Sequence, residues 1–191
     1  MREDDKTDLE LVALARAGLA HDAVATLVRR HTPQVRAIVY PMLLNHADAD
    51  DVTQDAMVKV VSSLGTFKGN AAFSTWVHRV AVNTALNFIK RQKRHRAMEA
   101  EGVDTLTQLE DTTAARPSDG LEAEEADAAV SRAMSKLSPE QRLAVSLVIM
   151  QGIDERTAAA VAECHAATLR WRLHAARKKL KTLLMDMRSA R

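Results

Sequence analysis

Residues 97–120 break the sequence in two. They hold Gly102, Pro117 and Gly120 among scattered acids and Thr, and their apolar residues follow no clear period. Such a stretch has no face to bury and reads as a linker. The chain must therefore fold as two pieces, a first domain over 1–96 and a second over 121–191. At 24 residues the linker reaches at most ~80 Å, which spans about two turns of duplex DNA.

Charge follows the same division. Residues 1–96 carry 14 Lys/Arg against 10 Asp/Glu (+4), residues 97–127 one Arg against ten acids (−9), and residues 128–191 12 against 5 (+7). The formal total of +2 conceals two basic blocks joined by an acidic one, and basic blocks of this kind suit nucleic acid.

Both pieces read as helical. Hydrophobic residues make up 47% of the chain but aromatics only 3%, and six Gly and four Pro leave few tight turns. That composition favours an all-α fold over a sandwich or barrel. No apolar run reaches the ~18–20 residues of a membrane span. The opening Met1-Arg2-Glu3-Asp4-Asp5-Lys6 lacks the apolar stretch of a secretory signal. With a single Cys164, which allows no intrachain disulfide, a cytoplasmic protein without membrane insertion is expected.

Apolar spacing places four helices in the first domain: about 8–17, 22–45, from an N-cap at Asp48 to about Ser63, and from near Ala72 to Arg96. Pro33 and Pro41 are expected to kink or divide the second. The second domain begins with a helix over about 121–136. The next has Ser138 as N-cap, Pro139 in its first turn and Gln141 three residues after the cap, and it stops at Gly152. Asp154 caps a short helix over about 155–162, Glu163-Cys164-His165 makes a turn, and a last helix runs from about 166 to 186.

Short helix, three-residue turn and longer helix make a helix-turn-helix. On the last helix Leu169, Leu173, Ala176 and Leu180 form a buried stripe. Arg170, Trp171, His174, Arg177, Lys178 and Lys181 lie off it. Cations neutralise phosphates, Arg170 offers a fork to guanine, and an exposed Trp171 calls for a base methyl or sugar to meet. The plainer alternative is a solvated basic face favoured by the helix dipole. Glu163 stands where such turns often place Gly.

In the first domain, Arg79, Asn83, Asn87, Lys90 and Arg94 share a helix face suited to bases and phosphates. The preceding loop, Gly65-Thr66-Phe67-Lys68-Gly69-Asn70-Ala71-Ala72-Phe73, sets two Phe beside it. A free Phe can stack an unpaired base, although Phe more often plugs a core. The helix before it presents Asp51, Gln54, Asp55 and Val58 on a face that repels DNA and suits a basic protein partner.

Taken together these segments resemble the extracytoplasmic-function sigma factors of bacterial RNA polymerase. The resemblance rests on Ala49-Asp50-Asp51-Val52-Thr53-Gln54-Asp55, Phe67-Lys68-Gly69, Phe73-Ser74-Thr75-Trp76-Val77 and Arg79-Val80-Ala81-Val82-Asn83, followed by Leu137-Ser138-Pro139-Glu140-Gln141-Arg142, Gly152 and Thr168-Leu169-Arg170-Trp171-Arg172-Leu173 with Ala176-Arg177. It covers about residues 20–96 and 127–185, and implies a region 2-like domain and a region 4-like helix-turn-helix domain. It implies that Asp51, Gln54, Asp55 and Val58 dock on core RNA polymerase. Phe67, Lys68, Gly69, Asn70, Arg79, Asn83, Asn87 and Lys90 would engage promoter DNA near the start site, where a base is flipped out as the duplex melts. Thr168, Arg170, Trp171, Arg172, His174 and Lys178 would engage the upstream element. It further implies a cognate anti-sigma factor, often membrane-bound. Trp171, Ala175 and Glu163-Cys164 depart from the family pattern.

No catalytic, metal or cofactor site is expected. His165 adjoins Cys164, but adjacent turn residues make no triad, and the other His are scattered. A stand-alone helix-turn-helix regulator is the alternative reading, and the Asp51/Gln54/Asp55 face is what it would not need.

Overall fold

The protein is described by a computed structural model covering residues 5–18, 21–102 and 121–189. The described residues form eight α-helices: α1 (Asp8–Arg16), α2 (His21–Leu43), α3 (His46–Ser62), α4 (Phe73–Gly102), α5 (Leu121–Ser135), α6 (Pro139–Val145), α7 (Glu155–Val161) and α8 (Ala166–Ser189). No strand occurs among the described residues, as an all-α reading expects.

Local chemistry explains four of the helix starts. Thr7 and Glu10 form a capping box at α1, and Ser138 and Gln141 form the expected one at α6. Asp154 accepts from the backbone N–H groups of Arg156 and Thr157 at the start of α7. At α3 the cap lies three residues earlier than expected. Asn45, not Asp48, is the N-cap, and its side chain accepts from the Asp48 N–H at 2.9 Å. Leu44, at φ 58°, ends α2 abruptly enough for the new helix to begin at once.

Two expectations give way. The fourth helix does not stop at Arg96 but continues through Gly102, so the first six residues assigned to the linker are helical. The rest of that linker, 103–120, lies outside the described residues. The second helix is one unbroken element with both Pro33 and Pro41 inside. A proline without an N–H orphans the carbonyl four residues back; for Pro41 that is Ala37. Gln151 Nε2 donates to the Ala37 carbonyl at 3.4 Å, and Ser146 Oγ donates to the Ile38 carbonyl at 3.3 Å. The second helical group thus supplies donors where the first lacks one. After α6 the chain takes a π-helical turn, Ser146–Met150, which ends before Gly152 at φ 64° and carries Ser146 into this contact.

The two groups consequently share one core. Val35, Ile38 and Val39 of α2, Val77, Ala81 and Val82 of α4, Leu143 and Leu147 near α6, and Leu169 and Leu173 of α8 belong to the same buried cluster. The stripe Val52, Ala56, Val60 and Leu64 is buried as well.

Next to this core, His78 on α4 is a group whose burial first, and neighbouring His31 second, push its imidazole from 6.5 down to about 4. A depressed folded value means the fold favours neutral His78. Its stabilisation is present above the ordinary value of 6.5 and is lost as pH falls from there toward about 4. We expect about 2 kcal/mol of stability to disappear across that window in chemical denaturation, allowing for partial solvation. His78→Gln should flatten the curve there; an unchanged slope would contradict the assignment.

Candidate nucleic-acid and polymerase-binding surfaces

Three surfaces collect the residues singled out in the sequence. The first is the outer face of α3. Asp51, Gln54 and Asp55 are exposed, and Val58 is 62% exposed. They fall at helical spacing on one face, and none has a side-chain bond to a described residue. Asp55 and Val58 also line a groove of about 900 Å³ whose other wall is α4, with Asn87, Lys90, Arg91, Lys93 and Arg94. The acidic α3 face and the basic end of α4 therefore meet at a common edge, a juxtaposition that spacing within either helix does not reveal.

The second surface is the loop between α3 and α4 with the first turns of α4. Arg16 of α1 donates to the carbonyls of Leu64 (2.9 Å), Gly65 (3.3 Å) and Phe67, fixing the loop from below. Lys68, Gly69 and Asn70 are exposed. Phe67 is not: it is 5% exposed, 5.2 Å from Phe73 and 5.5 Å from Trp76 between ring centroids. The expectation of a free Phe67 ring for stacking is thus corrected. Burial among aromatics lowers its free energy more than solvent would. What the loop does form is a pocket of about 200 Å³ lined by Thr66, Phe67, Lys68, Asn70, Trp76 and Arg79, among others. Phe67 supplies an edge of the wall. Trp76, a site residue missed in the sequence, supplies another; the signal was its place one helical turn after Phe73.

From this pocket Arg79, Asn83, Asn87 and Lys90 run along α4 toward the groove. Asn83, Asn87 and Lys90 are exposed. Arg79 is half-buried and already engaged: its Nε donates to the Ala160 carbonyl at 3.1 Å and lies 3.8 Å from the Glu163 carboxylate. The second helical group therefore covers one end of this line.

The third surface is α8. Leu169, Leu173 and Ala176 are buried, which turns Arg170, Trp171, His174 and Lys178 outward, all of them exposed. Thr168 and Arg172 are half-buried and lie off that face. Arg172 is instead near Glu140. Burial works to raise the Glu140 carboxyl, but hydrogen bonds from its own backbone and Ser138 and the charges of Arg172 and Lys93 leave it below the usual range. Arg172, expected among the upstream contacts, is thus half-buried with its charge felt at Glu140.

The turn before α8 carries the one departure with a backbone consequence. Glu163 has φ 49°, the left-handed region that costs a non-glycine residue about 1–2 kcal/mol. The exposed Arg79 pair returns little of it. Glu163→Gly should raise stability by about 0.5–1 kcal/mol in denaturant titration. A loss would show that the Glu163–Arg79 pair outweighs the backbone strain.

Among the described residues no cluster of three or more His, Cys, Asp or Glu could hold a metal ion, and no helix is long and apolar enough to cross a membrane.

Comparison with known proteins is consistent across sequence and structure. The Sigma-70 region 2 family matches residues 27–95. The chain is 34% identical over 184 residues to the ECF RNA polymerase sigma factor SigM of Mycobacterium tuberculosis, covering 94% of this chain and 86% of that protein. It is 31% identical over 163 residues to the ECF RNA polymerase sigma-E factor of Escherichia coli, covering 82% and 78%. Its fold resembles the sigma factor RpoE in complex with the anti-sigma factor NepR from Bartonella quintana, with a TM-score of 0.69, 23% identity and coverage of 84% of this chain and 96% of that one. It resembles CnrH in complex with the cytosolic domain of CnrY equally, with a TM-score of 0.69, 24% identity and coverage of 95% and 99%.

Proposed function

This chain belongs to the ECF RNA polymerase sigma factor family, and from that premise we propose how its surfaces divide the labour of transcription initiation. It is an alternative sigma factor: it joins core RNA polymerase and directs it to promoters. We assign residues 1–96 to polymerase docking and the start-site-proximal element, 97–120, whose first six residues extend α4, to an acidic connection, and 121–191 to the upstream element. The observation that carries the assignment is the meeting of the acidic α3 face, the loop pocket and the polar line of α4 on one helical group, with a second basic reading helix on the other.

Asp51, Gln54, Asp55 and Val58 dock on polymerase. An exposed valine on the same helix face as Asp51 and Asp55 suits a basic helical partner with an apolar seam. The pocket of Thr66, Phe67, Lys68, Asn70, Trp76 and Arg79 receives one base unstacked from the promoter, with Gly69 in the same loop, and Asn83, Asn87 and Lys90 hold the adjoining strand. Flipping a base costs a few kcal/mol, and pocket stacking at ~1–3 kcal/mol per base offsets much of it. The chemistry is binding energy, with no bond made or broken by this chain. Since Arg79 is tied to Ala160 and Glu163, the two helical groups separate before the pocket takes DNA, and polymerase holds them apart. We place this work in the cytoplasm. A cognate anti-sigma factor, often membrane-bound in this family, is the partner that fits the same α3 face in the inactive state.

The experiment is a pair of substitutions in the reconstituted holoenzyme. Asn83→Ala should slow promoter opening, read by permanganate reactivity near the start site, by about tenfold while upstream footprints persist. Arg170→Ala should erase preference among upstream elements. Equal losses on every DNA sequence from both would reduce these residues to phosphate contacts.

A further inference from the structure

One ion pair in the helix-turn-helix is not accounted for by folding. Arg170 Nε donates to Glu155 Oε2 at 3.0 Å, joining the first turn of α7 to the outer face of α8. The two side chains are 68% and 40% exposed, so the pair contributes little stability. Its geometry is more informative. By taking Nε, the carboxylate occupies the side of the guanidinium and leaves the Nη1/Nη2 end of the fork without a hydrogen bond to a described residue. The end-on fork is the one that matches guanine O6 and N7. A free arginine of this length samples many rotamers, and holding it in advance removes that cost from binding.

Trp171 is the next residue, and it is 68% exposed. The buried stripe of Leu169, Leu173 and Ala176 fixes the rotation of α8. One residue advances a helix by about 100°, which sets Trp171 almost opposite that stripe, with His174 between it and Arg170. An indole at the crest of a helix otherwise lined by cations adds apolar surface where the major groove offers one apolar group, the C5 methyl of thymine.

We propose that Arg170 and Trp171 form a two-residue reading head that takes a guanine and the methyl of a neighbouring thymine in the upstream promoter element, with Glu155 as the positioning residue that aims Arg170. This rests on the reading of α8 as the upstream DNA reader.

The test uses full-length protein with core polymerase and an upstream element selected from a randomised pool. Thymine is replaced one position at a time by uracil, which removes only the methyl, and guanine by 7-deazaguanine, which removes only N7. In the wild type, one uracil position should reduce initiation about fourfold, the worth of one buried methyl group, and a neighbouring 7-deazaguanine about tenfold. Trp171→Ala should abolish the uracil effect and retain the 7-deazaguanine effect. Glu155→Gln should shrink the 7-deazaguanine effect to within about twofold with an unchanged melting temperature, which a merely structural role would not do. Indifference of the wild type to both analogues, or equal uracil sensitivity in Trp171→Ala, overturns the proposal while leaving α8 as a reader. An upstream pool that yields no preferred sequence at all removes the underlying reading with it.

Discussion

Asp51→Arg is expected to weaken binding to core RNA polymerase by at least about 100-fold, because placing a like charge in a complementary interface costs several kcal/mol. The residue is exposed and bonds to no described side chain, so the substitution has nothing to break in the fold. Thermal unfolding should move by no more than a few degrees. Buried Val52 and Thr53 on the opposite side of α3 keep the helix in place. Copurification or a fluorescence titration with core polymerase reads the effect directly. Retained affinity together with native stability would remove the α3 face from the docking surface, and lost affinity with lost stability would point to a structural role instead.

The second large effect concerns the loop pocket. Phe67→Ala should destabilise the protein by about 3–5 kcal/mol, the cost of emptying a buried aromatic site. Phe67 is buried against Phe73 and Trp76, Phe73 in turn meets His31 edge-on at 5.2 Å, and Arg16 holds the Phe67 carbonyl. Truncation leaves a cavity beneath the loop pocket. Promoter opening should fail together with stability, whereas Lys68→Ala, an exposed change in the same loop, should alter opening alone. A Phe67→Ala protein within about 0.5 kcal/mol of wild type would restore the view of Phe67 as a free stacking ring.

How far these features were legible in the sequence depends on the distance over which they are decided. The α6 start is written in four consecutive residues, Ser138 to Gln141, because a capping box is closed by local bonds. The stripe of α8 is likewise local, and with it the outward turn of Arg170, Trp171 and His174. The continuity of α2 is not local. Pro41 says that the Ala37 carbonyl needs a donor, but not that Gln151, far along the chain, will supply it. The α3 start was expected at Asp48, whose side chain suits a cap; the left-handed Leu44 ends α2 early enough for Asn45 to cap the helix instead. Phe67 is decided by Phe73, Trp76 and Arg16 together, and Arg172 by Glu140 on another helix. Glu155 was passed over because its partner lies 15 residues on, across a turn whose angle the sequence leaves open. The family pattern pointed to the faces; contacts between helices, most of them within one helical group, decide which residues of those faces are buried or paired.

The most direct measurement is transcription in vitro by purified core RNA polymerase with this protein added, on a library of genomic promoter fragments. Initiation is expected from a discrete set of fragments that share one upstream and one start-site-proximal element, with silence when the protein is left out. Failure to support initiation from any fragment, with the protein folded and core polymerase active with another sigma factor, would contradict that expectation.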